Sequence, residues 1–216
     1  MILASLAVTA IAAHHSFAQD SRQSTNPPVY LPPLPPGQTD ASLVSALLAS
    51  LREPSLLEAA KDATVRSFRV SYFSPVPRHE TVIRIVVNPD GSGQVISAVS
   101  SGTQADIRRT TSNVSEAEVG KLLQSVDKAG FWAAVSNEPP AEKVGRRPYV
   151  FDGTWWMLEG VQNGSFHYVF RRNPTPTPIT EIGCYLSRTL AAPNGSVIPM
   201  PGCAPTIQPN DASTHR

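Results

Sequence analysis

The spacing of apolar residues changes several times along the chain, and each change marks an element. Leu43, Val44, Leu47, Leu48 and Leu51 recur at the three-and-four interval of one helix face, with Asp40 as its cap and Pro54 as its stop. Leu56, Leu57 and Ala60 predict one more short amphipathic piece. From Val65 the period becomes two. Phe68, Val70 and Tyr72 alternate with Ser67, Arg69 and Ser71, and Ile83, Ile85 and Val87 alternate with Val82, Arg84 and Val86, so both stretches are predicted strands. The turn Asn88-Pro89-Asp90-Gly91-Ser92-Gly93 then returns the chain as a strand over Val95–Val99, because Pro presets φ and Gly accepts a positive one. Residues 105–112 supply a further, weakly hydrophobic strand with Ile107, Arg109 and Thr111 on one face.

Helical spacing returns at Val119, Leu122, Leu123 and Val126, behind the capping box Ser115-Glu116-Ala117-Glu118 and ahead of a stop at Gly130. Phe131 and Trp132 are expected to tuck into the core, and the polar, proline-broken residues 136–148 to form a surface loop. Trp155–Val161 and Phe166–Arg172 flank Asn163-Gly164, the strongest two-residue hairpin signal. In that register Trp155, Met157, Glu159, Val161, Phe166, Tyr168, Phe170 and Arg172 share one face. Trp156, Leu158, Gly160, His167, Val169 and Arg171 share the other. Both faces are partly apolar, which predicts a central position. A last helix follows Pro178 with a stripe of Ile179, Ile182, Leu186 and Leu190. The pattern predicts an α+β domain, with a mostly antiparallel sheet (a meander plus a C-terminal β-hairpin) and helices packed on one side.

The ends of the 216-residue chain change this picture. Residues 2–13 are apolar and uncharged, the length of a signal-peptide core rather than of a bilayer span, and Ser16-Phe17-Ala18 places small residues before a cut between Ala18 and Gln19. Residues 1–18 are therefore expected to be a signal peptide, and the product periplasmic or secreted. Pro27, Pro28, Pro32, Pro33, Pro35 and Pro36 make residues 19–40 an extended Pro-rich linker. The domain is expected over residues 41–192 and a flexible C-terminal tail over 193–216. Cys184 and Cys203 are the only cysteines, and an oxidising compartment predicts a disulfide between them, with Cys184 facing away from its helix stripe.

The formal net charge is +1, which gives no field suited to nucleic acid or an anionic membrane, and no later apolar run predicts a membrane span in the mature form. His79, His167 and His215 are too scattered for metal-ligand spacing, and no phosphate-cradling glycine loop, Gly-x-Ser-x-Gly, Ser-x-x-Lys or Cys-x-x-Cys is present. Neither a metal nor a cofactor is expected. The candidates left for chemistry are Asp152, Glu159, His167 and Arg171. Burial on an apolar face would raise the Glu159 pKa, and His167 lies one position away across the hairpin. Those two with Asp152 could serve a small hydrolase-like extracytoplasmic enzyme. They sit on opposite faces, however, and an acid and a base must converge on one substrate atom. The reading favoured here is a hydrogen-bonded and ionic lock on the hairpin, in which Glu159 accepts from an arginine or from backbone amides. The expected function is that of a non-catalytic binding or envelope-associated module, with an envelope or extracellular protein or ligand as its partner.

Asp152-Gly153, then Trp156-Met157-Leu158-Glu159-Gly160, Gly164-Ser165-Phe166-His167 and Arg171, with the preceding Ser-Glu-Ala-Glu helix ending in Gly130-Phe131-Trp132, resemble a group of exported bacterial proteins without an assigned activity. Residues 105–191 carry the resemblance, with Phe166 where that group has Tyr and Arg172 where it has Trp. It implies a fold and a compartment, and no reaction.

Overall fold

A computed structural model describes residues 28–33, 40–75, 78–100, 106–137, 154–172, 175–191, 200 and 203. Strands β1 (Ser67–Pro75), β2 (Arg78–Val87), β3 (Gly93–Ser100), β4 (Arg108–Val114), β5 (Trp155–Gln162) and β6 (Ser165–Arg172) form one six-stranded antiparallel sheet in the order β4-β3-β2-β1-β5-β6. The meander and the hairpin are both present. β5 returns not beside β4 but beside β1, which makes β1 the centre of the sheet. Helices α1 (Asp40–Ser50), α2 (Leu56–Ala59), α3 (Glu116–Lys128) and α4 (Pro178–Tyr185) complete the α+β fold, and α4 runs on as a wider π-type turn over Leu186–Ala191.

The turns are built as their residues demand. Asn163 (φ 52) and Gly164 (φ 72) make the tight β5–β6 turn, so Trp155 pairs with Arg172 and Gln162 with Ser165, the register expected from the sequence. Ser115 caps α3 in a complete capping box with Glu118, and α3 stops where Gly130 takes φ 65, which turns Phe131 into the core. Phe131 then packs against Gly160, where an added Cβ would stand 2.8 Å from its ring.

Two cores form, one on each side of the sheet, and this corrects the expectation of helices on one side. On the first side Phe68, Val70, Ile83, Ile85, Leu158 and Val169 pack against Val119, Leu122 and Val126 of α3, Phe131, and Ile182, Leu186 and Leu190 of α4 and its extension. On the second, Val82, Ala98, Met157, Tyr168 and Phe170 pack under Val44, Leu47, Leu48 and Leu51 of α1. The leucine stripe of α1 also has to leave water, and it covers this second face. Tyr30 and Leu31 join that second core. The Tyr30 hydroxyl donates to the Glu53 carbonyl (3.0 Å) and Ser55 Oγ to the Val29 carbonyl (2.5 Å). Residues 28–33 are thus part of the domain rather than a free linker, because apolar side chains between the prolines fill the edge of the α1 layer.

The hairpin is not central either: β6 is an edge strand. Its outer backbone is covered by residues 134–137, where the Phe170 N–H donates to the Ser136 carbonyl (2.7 Å), which hides an edge that would otherwise invite pairing. At the other end Met200 is buried and Cys203 packs on the first core. Cys184 and Cys203 stand in disulfide geometry, with S–S 2.04 Å and Cα atoms 5.5 Å apart. The expected outward-facing Cys184 is corrected, since it is only 3 % exposed and the tail returns over it. The tail is therefore anchored at Met200 and Cys203. The leader, the Ala18–Gln19 junction, Pro35 and Pro36, and most of residues 193–216 lie outside the described residues.

Closing a loop with a sequence separation of 19 residues should contribute about 3 kcal/mol. Cys184→Ala and Cys203→Ala are each expected to lower unfolding stability in urea by about that amount, and the double variant by no more than either single one. Additive losses from the two singles would mean the sulfurs act independently.

Candidate functional site

Underneath the C-terminal end of α1 lies a buried ionic cluster. Alternation puts Arg69 of β1, Arg84 of β2 and Glu159 of β5 on one sheet face, because Arg69 pairs with both Arg84 and Glu159 across its two neighbours. Arg69 and Glu159 are completely buried and form a two-pronged pair, Nε to Oε2 at 2.7 Å and Nη2 to Oε1 at 2.6 Å. The remaining Arg69 donor, Nη1, meets the Pro54 carbonyl at 2.6 Å.

The second carboxylate comes from the chain reversal after α1. Arg52 adopts φ 52, a left-handed residue with a side chain, while the Glu53 N–H returns to the Leu48 carbonyl (2.9 Å) and the Arg52 N–H to the Ala49 carbonyl (3.0 Å). That paired closure turns Glu53 inward, where it accepts from Arg84 Nε at 3.0 Å and Arg109 Nη1 at 2.7 Å, with Arg69 Nη1 3.9 Å away. Arg109 also donates to the Leu51 carbonyl. Three guanidinium groups thus face two carboxylates and the carbonyls that end α1, the arrangement a helix C-terminus favours. Burial pushes the Glu159 carboxyl above its ordinary value, and Arg69 pulls it back. Burial also raises the Tyr30 hydroxyl beside the cluster.

The sequence candidates separate accordingly. Glu159 does accept from an arginine, as the lock reading expected, but from Arg69 rather than Arg171. Arg171 lies on the opposite face and donates to the carbonyls of Phe170 (2.7 Å) and Val135 (3.0 Å), holding the edge cover of β6. His167 also lies on that face, against Phe131 with ring centroids 5.0 Å apart, and its Nε2 is buried without a hydrogen-bond partner. Burial lowers its pKa from 6.5, opposed by a hydrogen bond to the Ala134 backbone. Glu159 and His167 therefore share no substrate position. Asp152 lies outside the described residues. Among the described residues no group of three or more His, Cys, Asp and Glu side chains could hold a metal ion, and no helix is long and apolar enough to cross a membrane. Sequence reading missed Glu53, Arg69, Arg84 and Arg109. β1 and β2 alternate arginines with apolar residues in the sequence, but the helix that covers those arginines and the strand that carries Glu159 lie far from them along the chain.

Beside the cluster, between α1 and the sheet, is a groove of about 310 Å³. Leu43, Val44, Ala46, Leu47 and Ser50 of α1 form one wall, and Ser71, Phe73, Glu80, Trp155, Trp156 and Met157 form the other. Phe73 stacks on Trp155, with centroids 5.2 Å apart and an interplanar angle of 26°. Leu43 stands at the mouth with 45 % of its surface exposed. The volume and apolar lining match a small-ligand site. The cluster fixes one end of α1 on the sheet and thereby sets the separation of the groove's walls.

Removing one partner of a buried pair strands the other charge. Glu159→Gln is expected to cost about 3–5 kcal/mol, whereas Arg69→Met with Glu159→Leu costs less than the sum of the two single changes. Strict additivity in a urea double-mutant cycle would contradict the pairing. For His167, a folded pKa below that of the unfolded chain means the unfolded state binds more protons as pH falls through 6.5, so stability is full above that value and declines below it. The midpoint of urea unfolding should drop between pH 7.5 and 5.5, and His167→Gln should flatten that slope; an unchanged slope in the variant would assign it elsewhere. Comparison with models of known protein families finds no match to this chain, and comparison with curated proteins finds none.

Proposed function

We propose that the protein is a non-catalytic binding module that acts outside the cytoplasm, in the periplasm or after secretion, and holds a small apolar ligand in the groove under α1. The observation that carries this reading is the groove itself, a concave space of about 310 Å³ lined by stacked aromatic and aliphatic side chains. Binding is favoured over catalysis because Glu80 is the single titratable side chain in the lining, with no second acid or base beside it there, and the buried carboxylates of the neighbouring cluster are committed elsewhere: Glu159 to Arg69, and Glu53 to Arg84 and Arg109. The leader pattern, the Cys184–Cys203 pair and the resemblance to exported bacterial proteins support the compartment.

Titration of the purified protein with the neutral apolar dye N-phenyl-1-naphthylamine should give a saturable one-site rise in fluorescence. Ala46→Trp, a change on the groove side of α1, should abolish it without lowering thermal stability. No saturable binding to the wild-type protein, or binding unaltered in the variant, would overturn the reading.

A further inference from the structure

Ser71 stands midway along β1, is 2 % exposed and lines the groove, and its Oγ is buried without a hydrogen-bond partner. Across the sheet it pairs with Val82 of β2 and Met157 of β5, so both of its lateral neighbours on that face are apolar. Along β1 the same face carries Arg69 on one side and Phe73 on the other. Arg69 directs Nε and Nη2 at Glu159 and Nη1 at the Pro54 carbonyl. In the opposite wall the Ser50 hydroxyl donates to the Leu47 carbonyl. Glu80, the remaining polar side chain of the lining, has a partner of its own within the chain.

A buried hydroxyl without a bond is costly, and native folds hold few of them. Alanine at this position would fill the space between Val82 and Met157 without that cost. A ligand made of hydrocarbon alone would seal the hydroxyl further, and it would expel any water that reaches Ser71 without replacing its hydrogen bond. An oxygen of the ligand at the same place removes the penalty, because a serine hydroxyl both donates and accepts. A neutral hydroxyl does not compensate a full charge taken out of water, so the complementary group is an uncharged oxygen. The rest of the lining, Ser50 and Glu80 apart, is aliphatic or aromatic and suits a hydrocarbon body.

We propose that the ligand of this groove is a neutral amphiphile, an alcohol or a ketone, whose oxygen bonds to Ser71 Oγ while its hydrocarbon body lies against Leu47, Phe73 and Met157. The assignment rests on the binding function proposed above. A series on a constant six-carbon body separates the two claims: 1-hexanol, 2-hexanone and 1-chlorohexane, each titrated by displacement of N-phenyl-1-naphthylamine from the purified protein. Ser71→Ala should weaken hexanol and hexanone about fivefold and chlorohexane by less than about twofold, with the midpoint of urea unfolding no lower than that of the wild type. In the wild-type protein alone, the affinity of hexanol relative to chlorohexane should exceed the ratio of their partition from water into hexadecane by at least about fivefold. That comparison decides the matter even if the variant does not fold. Equal changes for all three compounds in Ser71→Ala, or a wild-type ratio no larger than the partition ratio, would overturn the oxygen assignment and leave the groove a general apolar site. A lowered urea midpoint in Ser71→Ala would also overturn it, because the hydroxyl would then serve the fold. Displacement by none of the three would overturn both the assignment and the binding function.

Discussion

The Arg69–Glu159 pair, with Glu53 beside it, is the constraint on which the second half of the molecule depends. Two completely buried charges are costly to strip of water, and they persist only when geometry and hydrogen bonds are close to complete. Here they are: Arg69 uses Nε, Nη1 and Nη2 on partners within 2.7 Å, and Glu159 takes both of its oxygens to one guanidinium. The cluster therefore works as a register device more than as a source of net stability. A one-residue slip of β5 against β1 would send Glu159 to the opposite face and leave Arg69 uncompensated under a helix.

The two cores consequently differ in kind. The first is a continuous apolar layer in which α3 and α4 lie on the sheet, tied together by the Tyr185 hydroxyl donating to the Glu118 carbonyl (3.3 Å), and it needs only hydrophobic burial and close packing. The second core is smaller and is organised around charge: α1 ends on guanidinium groups, Tyr30 leans on the Glu53 carbonyl, and the apolar contacts of Leu48 and Leu51 spread outward from there. The groove runs along the same helix, from Leu43 to Ser50, up to the end that the charges hold. The left-handed Arg52 belongs to the same device. A non-glycine residue there carries some strain, and it is maintained because the reversal it makes aims Glu53 at Arg84 and Arg109.

Local signals made most of the fold legible. The capping box at Ser115, the positive-φ turn at Asn163-Gly164, the Gly130 stop and the period-two runs of β1 to β3 each act over a few residues, and each is where the sequence put it. What was not legible is long range. Alternation assigns Arg69 and Arg84 to the polar face of their strands, and nothing within those strands says that α1 will cover that face. In the same way, prolines around Tyr30 and Leu31 signal an extended backbone correctly but do not say that the side chains between them find a hydrophobic layer. Cys184 lies off its helix stripe, yet it is buried by a segment that arrives from beyond the helix.

The candidate site shows the same division. The expectation that Glu159 would be locked to an arginine followed from one buried carboxylate on an apolar face, an argument that needs no knowledge of the partner. The groove could not be read in that way, because it is formed by residues from α1, β1, β2 and β5 that no short window brings together. Its most informative atom is the Ser71 hydroxyl. Each guanidinium nitrogen of Arg69 meets an acceptor, whereas the Ser71 hydroxyl, in a wall that also holds two stacked rings, is buried without a partner. That contrast between paired charges at Arg69 and Glu159 and an unpartnered hydroxyl at Ser71 arises from residues on different elements, which is why no local pattern announces it.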